Sequence, residues 1–340
     1  MKVERCFRHG WVLGWALSWS CLSSLGNAVE VFEPSHQVAY DLALPPGMSP
    51  SSLESMTVGP RGHIWLACRV SGQAGREDTG QLVVYEPNGL LFDVVSLPFV
   101  PLAMNFSTRS WLYLATKEKI VRISVRGQVE AEIAVERLYG SPEAAAKVSR
   151  GRPAIAANED AVFVAYPDSG DNAYSIWRLS PDLSIEAKIV ERAESCLPQF
   201  EIQADGEHLL VAEATRGQVG IYDPQGRRIA GFGEKNKEGS ADFSGSCNPI
   251  ALWPLSSEHV LTGEIGNGLL KRYTHRGVLL GLVAKLPVPS DSQRLCLAWD
   301  MERNWYYVLL ASQAKVAVLL PTEDIESESS TSAISPGSGN

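Results

Sequence analysis

The stretch "CLPQFEIQADGEHLLVAEATRGQVGIYDPQG", residues 196–226, decides the fold because the chain contains it twice. Shifted by 51 positions it lies without a gap over "CNPIALWPLSSEHVLTGEIGNGLLKRYTHRG", residues 247–277. Nine of 31 positions match: Cys196 with Cys247, Pro198 with Pro249, Glu207 with Glu258, His208 with His259, Leu210 with Leu261, Glu213 with Glu264, Gly217 with Gly268, Tyr222 with Tyr273, and Gly226 with Gly277. Each copy reads as an apolar strand, a turn, a second apolar strand, a loop, a third strand ending in an aromatic, a tight turn and a fourth strand. Gly226 and Gly277 supply the positive φ that such a turn needs.

Weaker copies extend the pattern to both sides. Second strands are predicted at "GHIWLA" (62–67), "WLYLAT" (111–116), "AVFVAY" (161–166) and "WYYVLLA" (305–311), which with the two strong copies makes six. Each is followed by a third strand, from "QLVVYEPNG" to "KVAVLL". Four short strands repeated six times describe an all-β, six-bladed β-propeller. The last unit lacks its own fourth strand, because "PTEDIESESSTSAISPGSGN" is acidic and Ser-rich with no apolar face, and it is expected to be a disordered tail over 321–340. The missing strand is expected from "HQVAYDLAL", residues 36–44, closing the ring with the N-terminus. "SPEAAAKVSR" from Ser141 predicts a short helix between blades two and three.

The first 28 residues carry three basic side chains, one acid and a Trp/Leu-rich stretch, then small residues ending at Ala28. That is the layout of a secretory signal peptide, its apolar core of about 15 residues being shorter than the ~20 of a membrane span. Cys21 raises a lipoprotein anchor as the alternative, against which the bulky Trp19 before it weighs. The propeller is thus expected over 29–320, exported to a periplasmic or extracellular space. Without the leader, 27 basic and 38 acidic residues remain, a net charge of -11 that would repel a nucleic acid. No other segment has the length and apolarity of a membrane span.

At "GFGEKNKEGSADFSGSCNPIALWPLSSEHVLTGEIGNGLLKRYTHRGVLLG" the pattern resembles the NHL repeat of six-bladed propellers. The shared features are Phe-Gly, a linker with Gly and Phe, Pro before an apolar strand, an acid, an Asn, and a basic-aromatic strand ending in a turn. Glu264 stands where the family has Asp and Asn267 where it has Asn, while Gly268 and Leu269 replace its characteristic His and Leu. The Cys-Asn-Pro segment is similar to that of exported bacterial NHL-type proteins. The resemblance implies a binding scaffold or, in a minority of such propellers, a lyase or hydrolase.

In a propeller, the loops leading into first strands and those leaving second strands share one face. Cys196, Cys247, Glu213, Glu264 and Cys68 are therefore expected together on the ligand face. The two matched cysteines have three readings: ligands of a soft metal, partners in a disulfide, or buried thiols packing where blades meet. No CxxC or HxxxH accompanies them. Cys296, inside the apolar "RLCLAWD", is expected in the core, with a pairing to Cys68 across the ring closure as a further option. Glu213 and Glu264 are expected to accept hydrogen bonds from loop amides. His208 and His259 are expected as solvated turn residues on the opposite face. "PDSGDN" (167–172) is read as a turn cluster, and "NFS" at Asn105 as an inner strand despite its glycosylation pattern.

No GxSxG, P-loop or dinucleotide fingerprint occurs. The chain is therefore expected to be a binding module for a protein or small-molecule ligand, leaning away from catalysis and with no assured cofactor. The alternative is a metal-dependent hydrolase or lyase of the gluconolactonase-like type. That alternative predicts a divalent metal on the axis held by three or more oxygens from among those the first strands offer: Glu54, Asn105, Asn158, Glu201 and Asp300.

Overall fold

The computed structural model describes residues 32–46, 48–72, 76–143, 151–168, 173–195, 199–233, 242–245, 247–289 and 294–323. They form six four-stranded antiparallel sheets arranged as the blades of a propeller. Numbered along the chain, β1 (His36–Asp41) belongs to the last blade. Blade one is β2 (Leu53–Val58), β3 (Ile64–Val70), β4 (Thr79–Tyr85) and β5 (Leu91–Leu97). Blade two is β6 (Ala103–Phe106), β7 (Leu112–Ala115), β8 (Lys119–Ile123) and β9 (Val129–Ala134). Blade three is β10 (Ala154–Ala157), β11 (Val162–Pro167), β12 (Ala173–Leu179) and β13 (Ile185–Glu194). Blade four is β14 (Ile202–Ala204), β15 (Leu209–Glu213), β16 (Gln218–Tyr222) and β17 (Arg228–Phe232). Blade five is β18 (Ala251–Pro254), β19 (His259–Gly263), β20 (Leu269–Thr274) and β21 (Leu279–Lys285). Blade six is β22 (Leu295–Asp300), β23 (Trp305–Leu310), β24 (Lys315–Pro321) and, as its outer strand, β1.

The apolar runs are continuous because the second and third strands are covered on both faces. Successive side chains of a strand point to opposite sides. In β15, Leu209 and Val211 enter the cluster shared with blade three, whereas Leu210 and Ala212 enter the one shared with blade five. Six such apolar clusters each fill one gap between successive blades, so every blade is glued to two neighbours. Outer strands bear the solvent and show it: Leu91–Ser96 of β5 and Arg228–Gly231 of β17 are mostly exposed. The Asp-Pro-Gln-Gly turn forms as expected, with Gly226 at φ 83°. A Cβ there would stand 2.0 Å from the Ile189 carbonyl oxygen of the neighbouring blade, so glycine answers both the turn and the close approach.

The N-terminal strand closes the ring. β1 pairs antiparallel with β24 from His36↔Pro321 to Asp41↔Ala317, and Lys315 adds an ion pair to Asp41 at 2.7 Å. The helix expected from Ser141 falls mainly on residues outside the described ones; a four-residue helix, α1 (Glu136–Tyr139), stands just before it and stops at left-handed Gly140. The leader and the tail beyond 323 also lie outside the described residues. Asn105 is buried in β6, which takes it out of reach of a glycosyltransferase. No helix among the described residues is long and apolar enough to cross a membrane.

Closure by β1 sets a stability test. A chain beginning at Leu42 leaves β24 with an open edge and should melt roughly 10 °C or more below one beginning at Phe32 in calorimetry. Equal melting temperatures would mean that β1 contributes nothing to the ring.

Candidate functional site

The blades converge at the leading ends of their first strands, and charged side chains gather there. Glu54 opens β2, Arg152 comes two residues before β10, and Arg294 immediately precedes β22. The Glu54 side chain is only 1% exposed and meets three guanidinium groups. Arg69 Nε lies 2.8 Å from Oε1, and Arg152 Nη1 and Arg294 Nη1 lie 2.5 and 2.8 Å from Oε2. Arg152 Nη2 also donates to the carbonyls of Glu54 (3.0 Å) and Leu102 (2.9 Å), and Arg294 donates to the Leu53 carbonyl. Asp78 draws off part of Arg69 at 2.9 Å. Three cations against Glu54 and Asp78 leave the immediate surroundings of Glu54 with one excess positive charge.

Glu201, just before β14, does not cancel that excess. Burial pushes its carboxyl up to about 8, against the opposing pull of hydrogen bonds from Gln203 and Gln199, so it is mostly protonated at neutral pH. Gln203 Nε2 donates to Glu201 Oε1 at 2.7 Å, and Asn105 Nδ2 donates to Gln203 Oε1 at 3.1 Å. Gln199 binds across three blades: its Nε2 donates to the carbonyls of Leu295 (2.7 Å) and Ile250 (3.2 Å), and its Oε1 accepts from Leu295 N at 3.1 Å. The cavity here has a volume of about 40 Å³ and is lined by Glu54, Met104, Arg152, Glu201, Arg294 and Cys296 among others. That is room for a few waters or one small polar group. A second cavity of about 240 Å³ meets it at Leu102 and is lined by Arg69 and Lys117 together with Glu77, Asp78 and Glu118.

These residues do not fit an axial metal. Of the five oxygen donors from which the hydrolase alternative would draw three or more, Glu54 is saturated by arginines and Glu201 is mostly protonated at neutral pH. Asn105 is engaged by Gln203 and by the Ala157 amide. Asn158 caps the turn after β10, and Asp300 pairs with Arg303 at 2.7 Å in the turn after β22, at the other ends of the first strands. They do not converge.

Of the residues expected on the ligand face, the described ones make the following contacts. Cys196 lies outside the described residues. Cys247 is disulfide-bonded, and since Cys68 and Cys296 are free, its partner is neither of them. The proposed pairing of Cys68 with Cys296 is therefore not made. Cys68 is buried against Met48, its Sγ 3.7 Å from the Met48 Sδ, whereas Cys296 faces the channel. Burial, reinforced by Glu54 for Cys68 and by Glu201 for Cys296, pushes both thiols up to about 12, so neither supplies a thiolate near neutral pH. Glu213 accepts from Tyr222 Oη (2.6 Å) and Arg228 Nη2 (3.0 Å) inside blade four. Glu264 pairs with buried Lys271 at 2.7 Å and accepts from Ser244 N (3.0 Å), Ser244 Oγ (2.7 Å) and Asn267 Nδ2 (2.9 Å). Both glutamates hold their own blades together, and Glu264 accepts from a loop amide as expected.

Sequence reasoning missed Arg152, Arg294, Gln199 and Gln203. Their signal is a polar or basic residue abutting an apolar first strand, as in "RPAIAA" and "RLCLAW". His208 departs from the solvated role expected of it: its Nδ1 lies 3.4 Å from Asp205 Oδ2, which also faces His275 Nδ1 at 3.5 Å. Asp168 of the Asp-rich loop accepts from Ser175 Oγ at 2.7 Å, and residues 169–172 lie outside the described ones.

No protein-family model matches the sequence, and no curated protein matches it with significance. Solved structures do match. A Bacteroides thetaiotaomicron structural-genomics protein of unknown function aligns with a TM-score of 0.56 at 9% identity, over 83% of this chain and 72% of that one. A gluconolactonase from Xanthomonas campestris aligns with a TM-score of 0.52 at 14% identity, over 84% of this chain and 89% of that one. At such identities the likeness is one of fold.

Two measurements check this site. Glu201 holds its proton in the folded chain up to about pH 8, whereas an ordinary glutamate near 4.5 has lost it. The folded state then binds more protons than the unfolded one between those values, so this group makes stability fall as pH rises from 4.5 to 8. Glu201→Gln should therefore melt above the parent at pH 8 and approach it below pH 4.5; parallel pH–melting curves would refute the assignment. In denaturant without reductant, Cys68 and Cys296 should alkylate and Cys247 should not, as read by peptide mass spectrometry.

Proposed function

We propose that this chain is an exported ligand-binding propeller that takes a small organic anion at the arginine-rich end of its channel. The observation carrying this reading is the excess of guanidinium groups around one buried carboxylate. A single arginine would neutralise Glu54, yet three are present. Arg294 engages its neighbours through Nη1 alone, and its other donors make no hydrogen bond among the described residues. A planar fork of N–H donors beside a water-sized cavity matches the two oxygens of a carboxylate. The adjoining 240 Å³ cavity, where Glu77, Asp78 and Glu118 face Arg69 and Lys117, offers space for an uncharged remainder of such a molecule. Disulfide-bonded Cys247 and the layout of the first 28 residues support an oxidising, exported location. The repeat motif of blades four and five supports the NHL affinity of the scaffold.

One observation favours a second reading, a hydrolase. Glu201 titrates at about 8 beside the cavity, in the range that suits acid–base catalysis. The neighbour from Xanthomonas campestris makes gluconolactone the natural probe. Turnover of gluconolactone that Glu201→Gln abolishes while the melting curve stays cooperative would displace the binding reading.

Calorimetric titration with succinate at fixed ionic strength tests the anion site, with chloride as the control. Saturable binding is expected, and Arg294→Met should weaken it at least ~10-fold, as loss of a charge-assisted hydrogen bond does. Glu54 keeps two guanidinium partners in that variant. Absence of binding, or binding that Arg294→Met leaves unchanged, would falsify the proposal.

A further inference from the structure

At the opposite end of the first strands, the following turn is capped by a side-chain oxygen in four blades. Asn158 Oδ1 accepts from the amides of Asp160 and Ala161 at 3.0 and 2.8 Å. Asp205 Oδ1 accepts from those of Glu207 and His208 at 3.2 and 2.8 Å. Ser256 Oγ accepts from Glu258 N at 3.2 Å, and Asp300 Oδ1 from the amides of Glu302 and Arg303 at 3.0 and 3.3 Å. Asn, Ser and Asp all perform this local task. The blades differ in what the remaining polar atom does. Asn158 Nδ2 donates to the Gly206 carbonyl at 3.0 Å, Asp300 Oδ2 pairs with Arg303 at 2.7 Å, and serine has no second oxygen. Asp205 Oδ2 meets no lysine or arginine among the described residues. Its side chain is 0% exposed, and Oδ2 faces His208 Nδ1 at 3.4 Å and His275 Nδ1 at 3.5 Å.

We propose that Asp205, His208 and His275 bind a divalent transition-metal ion, Zn²⁺ foremost, clamping blade four to blade five. A buried carboxylate needs a compensating positive charge. The two separations exceed the usual N–H···O range of 2.7–3.2 Å. They match the roughly 3.4 Å edge of a tetrahedron whose metal–ligand bonds are about 2.0–2.1 Å. One ligand atom from each residue lies within 4.8 Å of the others. Two imidazoles and a carboxylate suit Zn²⁺, Cu²⁺ or Ni²⁺ and not Ca²⁺ or Mg²⁺, which take oxygen ligands.

The surroundings are those of a held site. Two amides fix the Asp205 carboxylate through Oδ1, and the His275 amide donates to the Glu258 carbonyl at 2.8 Å. The two rings stand edge to face at 88°, with centroids 6.0 Å apart. The His208 side chain is 26% exposed, giving an ion and a fourth, water ligand a route in. The set also breaks the 51-residue repeat: Ser256 replaces Asp205 in blade five, and Pro224 stands in blade four where blade five has His275. Only His208 has a matching twin, His259. The cluster thus belongs to one blade junction and is not a feature of the repeat.

The test is titration of the metal-free full chain with Zn²⁺ alone by calorimetry, and with Co²⁺ alone by visible absorption. One equivalent of Zn²⁺ per chain and the intense visible bands of four-coordinate cobalt are expected. Asp205→Asn keeps the turn cap, as Asn158 does, and should weaken Zn²⁺ at least ~10-fold, the loss that outer-shell changes alone can cause. His275→Gln should do the same, and His259→Ala should leave affinity unchanged. Lack of stoichiometric binding, octahedral-type weak cobalt bands, or affinity that both Asp205→Asn and His275→Gln leave intact would each overturn the site. Should Asp205→Asn fail to fold, the cobalt spectrum of the parent chain and the His275→Gln affinity still decide.

Discussion

The ring rests on polar bonds made at its inner rim, where side chains of one blade satisfy groups of others. The Glu54 cluster joins blade one, through Glu54 and Arg69, to the segments leading into blades three and six, and Arg152 extends it to the Leu102 carbonyl ahead of blade two. Gln199, ahead of blade four, reaches the Ile250 and Leu295 backbones ahead of blades five and six. Between them these two networks engage all six blades. The apolar clusters act only between neighbours, so they set the spacing of adjacent sheets and leave the hub unspecified. Directional hydrogen bonds at the hub supply the long-range specification that dispersion and burial lack.

The hub's composition also explains why its chemistry differs from that of an axial metal centre. A carboxylate withdrawn from water demands compensation, and guanidinium groups meet it with several donors fixed in one plane. Three such groups overshoot the requirement, and protonated Glu201 adds nothing on the negative side at neutral pH. The proposed anion site rests on this local balance around Glu54. The same donors that stitch the blades are the ones a ligand would meet, which ties recognition at the hub to integrity of the ring.

Architecture was legible in the sequence because strand alternation and turn glycines are local signals that repeat, as Leu210/Leu261 and Gly226/Gly277 show. Closure by "HQVAYDLAL" was legible by counting, since one blade lacked its outer strand. The site was not. Arg152, Gln199 and Arg294 occupy comparable places before first strands but do not repeat in type, and their meeting across the channel follows only from the closed ring. Repetition marked Glu213 and Glu264 as equivalent, and both accept hydrogen bonds within or beside their own blades. The Asp205 cluster lay in the opposite blind spot, visible only as residues that fail to match at an offset of 51.

The pairing of His36 with Pro321 has a consequence for how the molecule comes into being. Among the strands of the ring, β1 is the first to be synthesised and its partner β24 the last. Blade six therefore cannot be completed on a partial chain, and β1 waits with its edge groups open while five blades assemble. Such waiting strands are the vulnerable species of high-contact-order folds. Gln37, Val38 and Ala39 are all exposed along β1, which makes the idle strand poorly apolar and so a weak template for a second chain.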